Sequence, residues 1–365
     1  DYFTEYNKLS YPELIRESKS ILNRLNNKSV TNKENLNNRY QVLKSISQKR
    51  LFSSYKYPYK IKFYPDYEDP DFNKKIYSKT EFNINKMEEI PRLTLKDTDI
   101  LSKKKCNPLF DTSVPKDKIK FKLTQNQKFL KSFLSPNTPY NSLLLFHGTG
   151  VGKTCSSISI VEQYSEELKK YDKKITVLMK PSLEENYRKN IFDIRKVIAG
   201  TPNLQCTRDK YLKELKTSRD LIPEKINKKI NKIIKGRYNF SGYQEFANKI
   251  EKVISNLRRQ YPPEKSEYLI DKQLKKMFSN SVMIIDEAHN IKEGSGSKVL
   301  PPLLDRVLKN AENMKLILLT ATPMFDSPSE IVWLINLLLT NDNRALIKQS
   351  DFFKRDGSFI KGTET

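Results

Sequence analysis

Residues 143–154 read Leu143-Leu144-Leu145-Phe146-His147-Gly148-Thr149-Gly150-Val151-Gly152-Lys153-Thr154. The four apolar residues predict a buried strand, and the glycines after it let backbone N–H groups close around phosphate oxygens, where a Cβ would not fit. Lys153 would supply a positive charge to the β- and γ-phosphates, and the Thr154 hydroxyl would ligate Mg²⁺. Gly148 to Thr154 therefore form a candidate nucleotide-phosphate site.

A helix is expected directly after this turn, because apolar residues recur at helical spacing: Ile158, Val161, Tyr164 and Leu168. The phosphates would then lie at a helix N-terminus, where the helix dipole favours negative charge. The strict P-loop pattern has glycine five residues before Gly152, and His147 occupies that position. This mismatch leaves open a loop without function, an alternative that two further motifs make weaker.

The chain has 365 residues and a net charge of +24, from 67 lysines and arginines against 43 acidic residues. This length accommodates one large domain or two ordinary ones. The positive excess favours a polyanionic partner, most commonly nucleic acid. No segment approaches the roughly 20 apolar residues of a membrane-spanning helix, so no membrane partner is expected.

The cysteines predict neither a metal site nor a disulfide framework. Cys106, Cys155 and Cys206 lie far apart without a Cys-x-x-Cys pair, and the chain has only two histidines. We therefore expect no structural zinc and a reducing compartment. Cys155, directly after Thr154, is interpreted as a small packing residue at the helix start.

Residues 1–110 are predicted to form a mixed or helical N-terminal extension that is basic and rich in aromatic residues. Tyrosines and phenylalanines alternate with lysines and prolines across residues 55–67. Such a pattern suits stacking on nucleic-acid bases and neutralising phosphates. The alternative, which we favour, is an arm that packs its tyrosines on the neighbouring domain.

From Phe121 onward the pattern predicts an α/β fold with a mostly parallel sheet covered on both faces. Four apolar runs separated by helical segments are the expected strands: 143–146, 175–179, 282–285 and 316–319. Residues 201–280 are predicted to form a lysine-rich helical insertion. Its charges indicate either a solvated face or a surface that contacts nucleic acid.

The run Val282–Ile285 leads directly into Asp286-Glu287-Ala288-His289. A carboxylate at the tip of a buried strand, beside a phosphate loop, is where Mg²⁺ needs negative charge. We predict that Asp286 holds the ion through water, and that Glu287 orients and deprotonates the water that attacks the γ-phosphate.

The run Leu316–Leu319 leads into Thr320-Ala321-Thr322. Small hydroxyl residues at a strand end can hydrogen-bond His289 and transmit the state of the phosphate site, so Thr320 and Thr322 are candidate coupling residues. Ligands of open α/β sheets bind at the carboxyl ends of strands, and all three motifs are expected at that edge.

These three segments resemble motifs I, II and III of superfamily 2 helicases and translocases, in which the first motif position is often not glycine. The resemblance covers about residues 121–339 and implies a RecA-like P-loop NTPase lobe with ATP and Mg²⁺ as cofactors. It implies catalytic roles for Lys153, Asp286, Glu287 and His289. The expected partner is nucleic acid, with DNA preferred to RNA, although the sequence does not decide between them.

Three weaker segments also resemble helicase motifs. Residues 123–127 are similar to the adenine-reading Q motif, with Gln127 as the better-placed glutamine. Residues 177–183 are similar to motif Ia, which implies backbone contacts by Lys180, Pro181, Ser182 and Asn186. Residues 238–246 resemble the strand and helix near motif Ib.

Residues 63–82 and 133–147 resemble helicases of large cytoplasmic DNA viruses, including the small subunit of the poxvirus-type early transcription factor and its giant-virus relatives. This implies a role in early transcription, with a large transcription-factor subunit and the viral RNA polymerase as partners, in the host cytoplasm (viral factory) and the virion.

A superfamily 2 motor closes ATP between two RecA-like lobes, so we expect residues 111–345 to be the first lobe of a longer protein. Residues 346–365 would begin a linker to a second lobe. Three alternatives stay open: an RNA helicase in transcript release or termination, a restriction-type DNA translocase, and a non-catalytic promoter-binding scaffold.

Overall fold

The structure is a computed structural model that describes most of the chain. The described residues are 2–9, 11–25, 32–56, 63–86, 100, 120–148, 150, 152–215, 222–292, 300–324, 328–354 and 357–360. No helix within these ranges is long and apolar enough to cross a lipid bilayer. The same ranges contain no cluster of three or more His, Cys, Asp or Glu side chains that could hold a metal ion.

A five-stranded parallel sheet lies at the centre of the α/β part. Its strands are β1 (Ser142–Phe146), β2 (Ile175–Leu178), β3 (Tyr238–Ser241), β4 (Val282–Ile285) and β5 (Lys315–Thr320). They are arranged in the order β1-β5-β4-β2-β3, and every neighbouring pair is parallel. The four predicted strands are therefore confirmed, and the fold is an α/β RecA-like lobe. The segment near the suspected motif Ib supplies the fifth strand.

Side chains alternate between the two faces of the sheet, so each face builds its own core. Val177, Ile284 and Ile317 belong to one core, whereas Leu178, Ile285 and Leu318 belong to the other. All residues of β4 and β5 are buried. Burial on both faces explains why these strands read as continuous apolar runs rather than as alternating ones.

Helices cover both faces of this sheet. In chain order after the N-terminal segments they are α1 (Gln125–Phe133), α2 (Lys153–Val161), α3 (Ser165–Lys170), α4 (Pro181–Ile191), α5 (Ile194–Ile198), α6 (Lys210–Glu214), α7 (Pro223–Arg237), α8 (Tyr243–Gln260), α9 (Pro263–Phe278), α10 (His289–Lys292), α11 (Leu300–Asn310) and α12 (Glu330–Asn341).

The lysine-rich region between residues 201 and 280 is mainly helical, as predicted, and it also contains β3. In α7 the buried residues Ile226, Ile230 and Ile234 recur every four positions and form a single apolar stripe. Lys228, Lys229 and Lys232 lie on the exposed side of the same helix. The exposed lysines are compatible with both interpretations that the sequence left open, a solvated face and a surface that contacts nucleic acid.

Three N-terminal helices, Tyr2–Asn7, Tyr11–Leu25 and Lys33–Lys56, pack around a small core of their own. Its buried residues are Tyr6, Leu14, Ile21, Leu36, Leu43 and Ile46. The three helices therefore bury their own apolar faces against one another, as amphipathic helices must in order to be stable in water.

The aromatic residues that follow pack against the α/β part. The segment 63–86, which contains the short helices Phe72–Ser78 and Thr80–Asn83, brings Tyr64, Tyr67 and Phe72 against Tyr140. The Tyr140 hydroxyl donates to the Pro65 carbonyl at 3.0 Å. For these tyrosines the packing interpretation is confirmed over base stacking. Tyr57 and Tyr59 lie outside the described residues.

Candidate active site

The ends of β1, β5 and β4 lie side by side at one edge of the sheet. Backbone hydrogen bonds continue past these ends and join the turns that follow. His147 N–H donates to the Thr320 carbonyl at 3.3 Å, and Ala288 N–H donates to the Leu319 carbonyl at 2.9 Å. The three sequence motifs are thus brought together at the carboxyl edge, where parallel α/β sheets bind ligands.

The described glycines of the turn between β1 and α2 have backbone conformations that suit a phosphate-binding loop. Gly150 and Gly152 have φ angles of +77° and +89°, in the left-handed region that favours glycine. A Cβ on Gly148 or Gly150 would meet no described atom within 4 Å, so the surface there is open to a ligand. Thr149 and Val151, also predicted to bind phosphate, lie outside the described residues.

Lys153 and Thr154 are the first two residues of α2, after Gly152 as N-cap. The Lys153 side chain is only 11% exposed, and its Nζ has no hydrogen-bond partner within the described part of the chain. Its nearest charged group is the Glu287 carboxylate, with Nζ to Oε1 at 3.8 Å. A buried ammonium without a hydrogen-bond partner costs free energy, so this atom is suited to an anionic ligand such as a triphosphate.

Asp286 follows β4 directly and is shielded from solvent. Burial, together with the neighbouring Glu287 charge, raises the pKa of Asp286 to about 6. Its Oδ1 accepts a hydrogen bond from Glu287 N–H at 3.1 Å. A divalent cation at this carboxylate would favour the ionised form. The Asp286 carboxylate and the Thr154 hydroxyl are oxygen ligands of the kind that Mg²⁺ prefers.

Glu287 has a φ angle of +48°, in the left-handed region that a residue with a Cβ rarely adopts. This conformation costs on the order of 1–2 kcal/mol and persists only where neighbouring contacts fix it. In the resulting position, its two carboxylate oxygens face two different partners. Oε1 faces Lys153, and Oε2 lies 3.5 Å from His289 Nδ1.

His289 connects the turn after β4 to the turn after β5. Its Nδ1 lies 2.9 Å from Thr320 Oγ1 and 3.4 Å from Thr322 Oγ1. Thr320 is fully buried, and its Oγ1 also accepts from Thr322 N–H at 3.1 Å. The predicted coupling residues therefore form one hydrogen-bonded group with His289, although their role in coupling stays a prediction.

Gln127 lies behind the phosphate loop rather than at its open side. In the capping box at the start of α1, its Oε1 accepts from Thr124 N–H at 3.0 Å. Its Nε2 donates to the Gly152 carbonyl at 3.2 Å. A Cβ on Gly152 would lie 2.7 Å from this Nε2 and would displace the Gln127 side chain, and the φ angle of +89° disfavours any residue other than glycine there. Gln127 thus supports the loop, and its adenine-reading role stays a prediction.

The predicted nucleic-acid contacts lie at the same edge, farther along the sheet. Lys180 caps α4, which begins directly after the end of β2, and Pro181, Ser182 and Asn186 lie on that helix. All four side chains are exposed. This exposure leaves them accessible to a backbone, and their binding role stays a prediction.

The prediction about cysteines is wrong for one pair. Cys155 and Cys206 form a disulfide with Cα atoms 5.2 Å apart, although 51 positions separate them in sequence. The loop containing Cys206 folds back because Gln205 accepts a hydrogen bond from Asp193 N–H, and Asn203 accepts one from Phe121 N–H. The spacing of cysteines in the sequence cannot reveal such a long-range contact. With this disulfide present, the cysteines no longer support the expectation of a reducing compartment. Cys106 lies outside the described residues.

Sequence reasoning also missed Tyr243, the first residue of α8. Its hydroxyl donates to the Asp286 carbonyl and lies 3.5 Å from the Glu287 carbonyl. Burial and the nearby charges of Asp286 and Glu287 raise the pKa of Tyr243, so the hydroxyl stays protonated as a donor. Tyr243 lies in the segment 238–246 that resembles motif Ib, but the sequence does not reveal its contact with Asp286, because that contact joins segments more than forty positions apart.

The fold and this edge together define a RecA-like α/β lobe of the helicase type. Residues 118–325 match the model of the family described as type III restriction enzyme, res subunit. Since the match spans more than half of the sequence, the chain belongs to this family.

Relatives with similar sequences come from large DNA viruses. "Putative ATP-dependent RNA helicase L377" of Acanthamoeba polyphaga mimivirus is 31% identical over 75% of this chain and 23% of its own length. "Putative helicase 087L" of Invertebrate iridescent virus 3 is 31% identical over 60% of this chain and 20% of its own. "Putative helicase 009L" of Frog virus 3 is 25% identical over 66% of this chain and 22% of its own length. The chain thus spans between a fifth and a quarter of these relatives.

Proposed function

We propose that this chain is the ATP-hydrolysing lobe of a nucleic-acid-dependent ATPase of the helicase or translocase type. One observation carries the proposal: the buried Lys153 ammonium has no hydrogen-bond partner within the described residues and faces Glu287 beside an open glycine loop. An ammonium, a partly exposed carboxylate and a helix N-terminus in one place suit the binding and hydrolysis of a triphosphate.

In this proposal each residue has a distinct task. The backbone of Gly148 to Gly152 and the Lys153 ammonium bind and orient the phosphates of ATP. Thr154 and Asp286 hold Mg²⁺, which neutralises developing phosphate charge when bound. Glu287 orients the attacking water and accepts its proton. His289, hydrogen-bonded to Thr320, fixes the turn that carries Glu287.

We propose nucleic acid as the activating partner, with DNA as the track. The support is the net charge of +24 and the exposed Lys180 at the same sheet edge as the nucleotide loop. RNA is the second candidate, because mimivirus relatives such as L377 carry "RNA helicase" in their names.

We further propose a viral role in early transcription, with a large transcription-factor subunit and a viral RNA polymerase as partners, in the host cytoplasm and the virion. The support is the sequence resemblance to the poxvirus-type early transcription factor, together with the viral origin of the relatives. The same reasoning proposes an extension over 1–110, the ATP-binding lobe over 111–345 and the start of a linker over 346–365, with the second lobe elsewhere in the complete protein.

A steady-state ATPase assay on the complete protein tests the proposed function. We expect turnover to rise when duplex DNA is added, and to rise less when single-stranded RNA of equal nucleotide concentration is added. The DNA affinity should fall steeply between 50 and 200 mM salt, because phosphate contacts release counterions. A larger rise with RNA would favour the RNA-helicase alternative, and no rise with either nucleic acid would contradict the proposal.

A further inference from the structure

We propose that Tyr243 is a positioning residue that couples nucleic-acid contact at the start of α4 to the orientation of Glu287. The inference deepens the proposed function and rests on it. Tyr243 begins α8 directly after β3, and its hydroxyl reaches the turn after β4, which carries Asp286 and Glu287. It therefore joins the end of β3, which pairs with the β2 strand that precedes the predicted backbone contacts, to the turn that carries Glu287.

Tyr243 contacts the turn after β4, whose backbone conformation is unfavourable without stabilising contacts. Glu287 adopts a left-handed backbone conformation, which is unfavourable for a residue with a Cβ. Asp286 N–H donates to the Leu178 carbonyl at 2.9 Å, and Asn290 N–H donates to the Glu287 carbonyl at 2.9 Å. The Tyr243 hydroxyl adds a donor to the Asp286 carbonyl, the peptide group immediately before Glu287. A shift of Tyr243 would therefore change the direction of the Glu287 side chain.

The two residues before Tyr243 form hydrogen bonds with a side chain at the surface. Gly242 is the N-cap of α8, and its N–H donates to Glu245 Oε2 at 3.2 Å. Ser241 Oγ donates to the same carboxylate oxygen at 2.9 Å. Glu245 is exposed, and its carboxylate occupies both donors, so a phosphate backbone would contact the neighbouring start of α4, at Lys180, rather than these groups.

The ends of β2 and β3 form one continuous surface. Met179 N–H donates to the Ser241 carbonyl at 3.1 Å, which extends the pairing of these strands. A Cβ on Gly242 would lie 3.6 Å from Pro181 Cγ, so the starts of α4 and α8 are closely packed. Contact at Lys180 or Pro181 is therefore transmitted to Gly242, and from Gly242 to the Tyr243 hydroxyl.

The first test is Tyr243→Phe in the complete protein, which removes only the hydroxyl and keeps the buried ring. We expect kcat at saturating nucleic acid to fall about tenfold, which is the loss of roughly one hydrogen bond in the activated state. KM for ATP and Kd for nucleic acid should stay within about twofold of wild type, because the residue touches neither ligand. Nucleic-acid stimulation equal to that of wild type would overturn the inference.

The matched control is Tyr211→Phe. It also removes a buried hydroxyl, one that donates to Glu162 Oε1 at 2.7 Å, directly after the C-terminal end of α2 and away from the nucleotide edge. Both variants should be somewhat less stable than wild type, but only Tyr243→Phe should lose the stimulation of ATP hydrolysis by nucleic acid. An equal loss in both would show a general effect of destabilisation and would overturn the inference.

A second readout does not depend on ATP hydrolysis. Amide hydrogen exchange of residues 282–291 should be faster in Tyr243→Phe than in wild type, and unchanged there in Tyr211→Phe. Unchanged exchange in both variants would overturn the positioning role. If nucleic acid did not stimulate ATP hydrolysis by the wild-type protein, the proposed function would be contradicted. The exchange experiment would still decide whether Tyr243 holds the turn that carries Glu287.

Discussion

Replacing Lys153 with alanine is expected to lower ATP turnover by the complete protein at least about 100-fold, the order of loss seen when one preorganised charge-stabilising donor is removed. The reason is the position of Nζ, which is buried, lacks a hydrogen-bond partner within the described residues and lies at the N-terminus of α2 beside Glu287. Alanine keeps the helix but removes the cation that would face the β- and γ-phosphates. A coupled phosphate-release assay measures this change.

Lys174→Ala is the matched control for Lys153→Ala. Lys174 Nζ donates to the Lys235 carbonyl at 2.9 Å, and the residue lies just before β2, at the opposite end of that strand from Lys180. Its loss should leave turnover within about twofold of wild type, because a surface substitution away from a functional feature changes little. Retention of wild-type turnover by Lys153→Ala would contradict the assignment of the phosphate site.

Replacing Glu287 with glutamine is expected to preserve nucleotide binding and to lower hydrolysis by about 10²- to 10⁴-fold, the usual contribution of a general base. Glutamine has nearly the same shape and still accepts hydrogen bonds, but it does not take a proton from water. The Glu287 carboxylate is 28% exposed and lies between Lys153 and His289, so water has access to it. Titration with a fluorescent ATP analogue, alongside single-turnover hydrolysis, separates the two effects.

Glu312→Gln serves as the control for this substitution. Glu312 pairs with Lys275 Nζ at 2.6 Å and precedes β5, at the end of that strand away from Thr320. Both binding and hydrolysis should stay near wild type in this variant. If Glu287→Gln abolished nucleotide binding, the carboxylate would hold the nucleotide or its metal, and the proposed role in activating water would be wrong.

The central sheet could be predicted from the sequence because local patterns carry the information. The runs ending at Phe146, Ile285 and Leu319 consist of apolar residues, which is typical of strands buried on both faces. The turns after them contain glycines, carboxylates or hydroxyls, and the parallel topology brings those turns to one edge. Local composition and the geometry of parallel sheets were together sufficient for these three strands and for the edge at which their motifs meet, whereas the short strand β3 is not an apolar run.

Contacts between distant segments could not be predicted in the same way. Gln127 supports Gly152, Tyr243 holds the Asp286 turn, and Cys155 lies against Cys206. Each pair depends on how loops fold back over the sheet, and no spacing rule relates the two partners. A glutamine near a helix start, or a tyrosine at one, is unremarkable as sequence, so its role becomes visible only in three dimensions.

The arrangement of the three strand ends is tested most directly by a crystal structure with Mg²⁺ and a non-hydrolysable ATP analogue. We predict the triphosphate on the backbone of residues 148–152, with Lys153 Nζ within hydrogen-bond distance of its oxygens and the metal beside Thr154 and Asp286. An analogue bound elsewhere, with the Lys153 ammonium still lacking a ligand, would contradict the account.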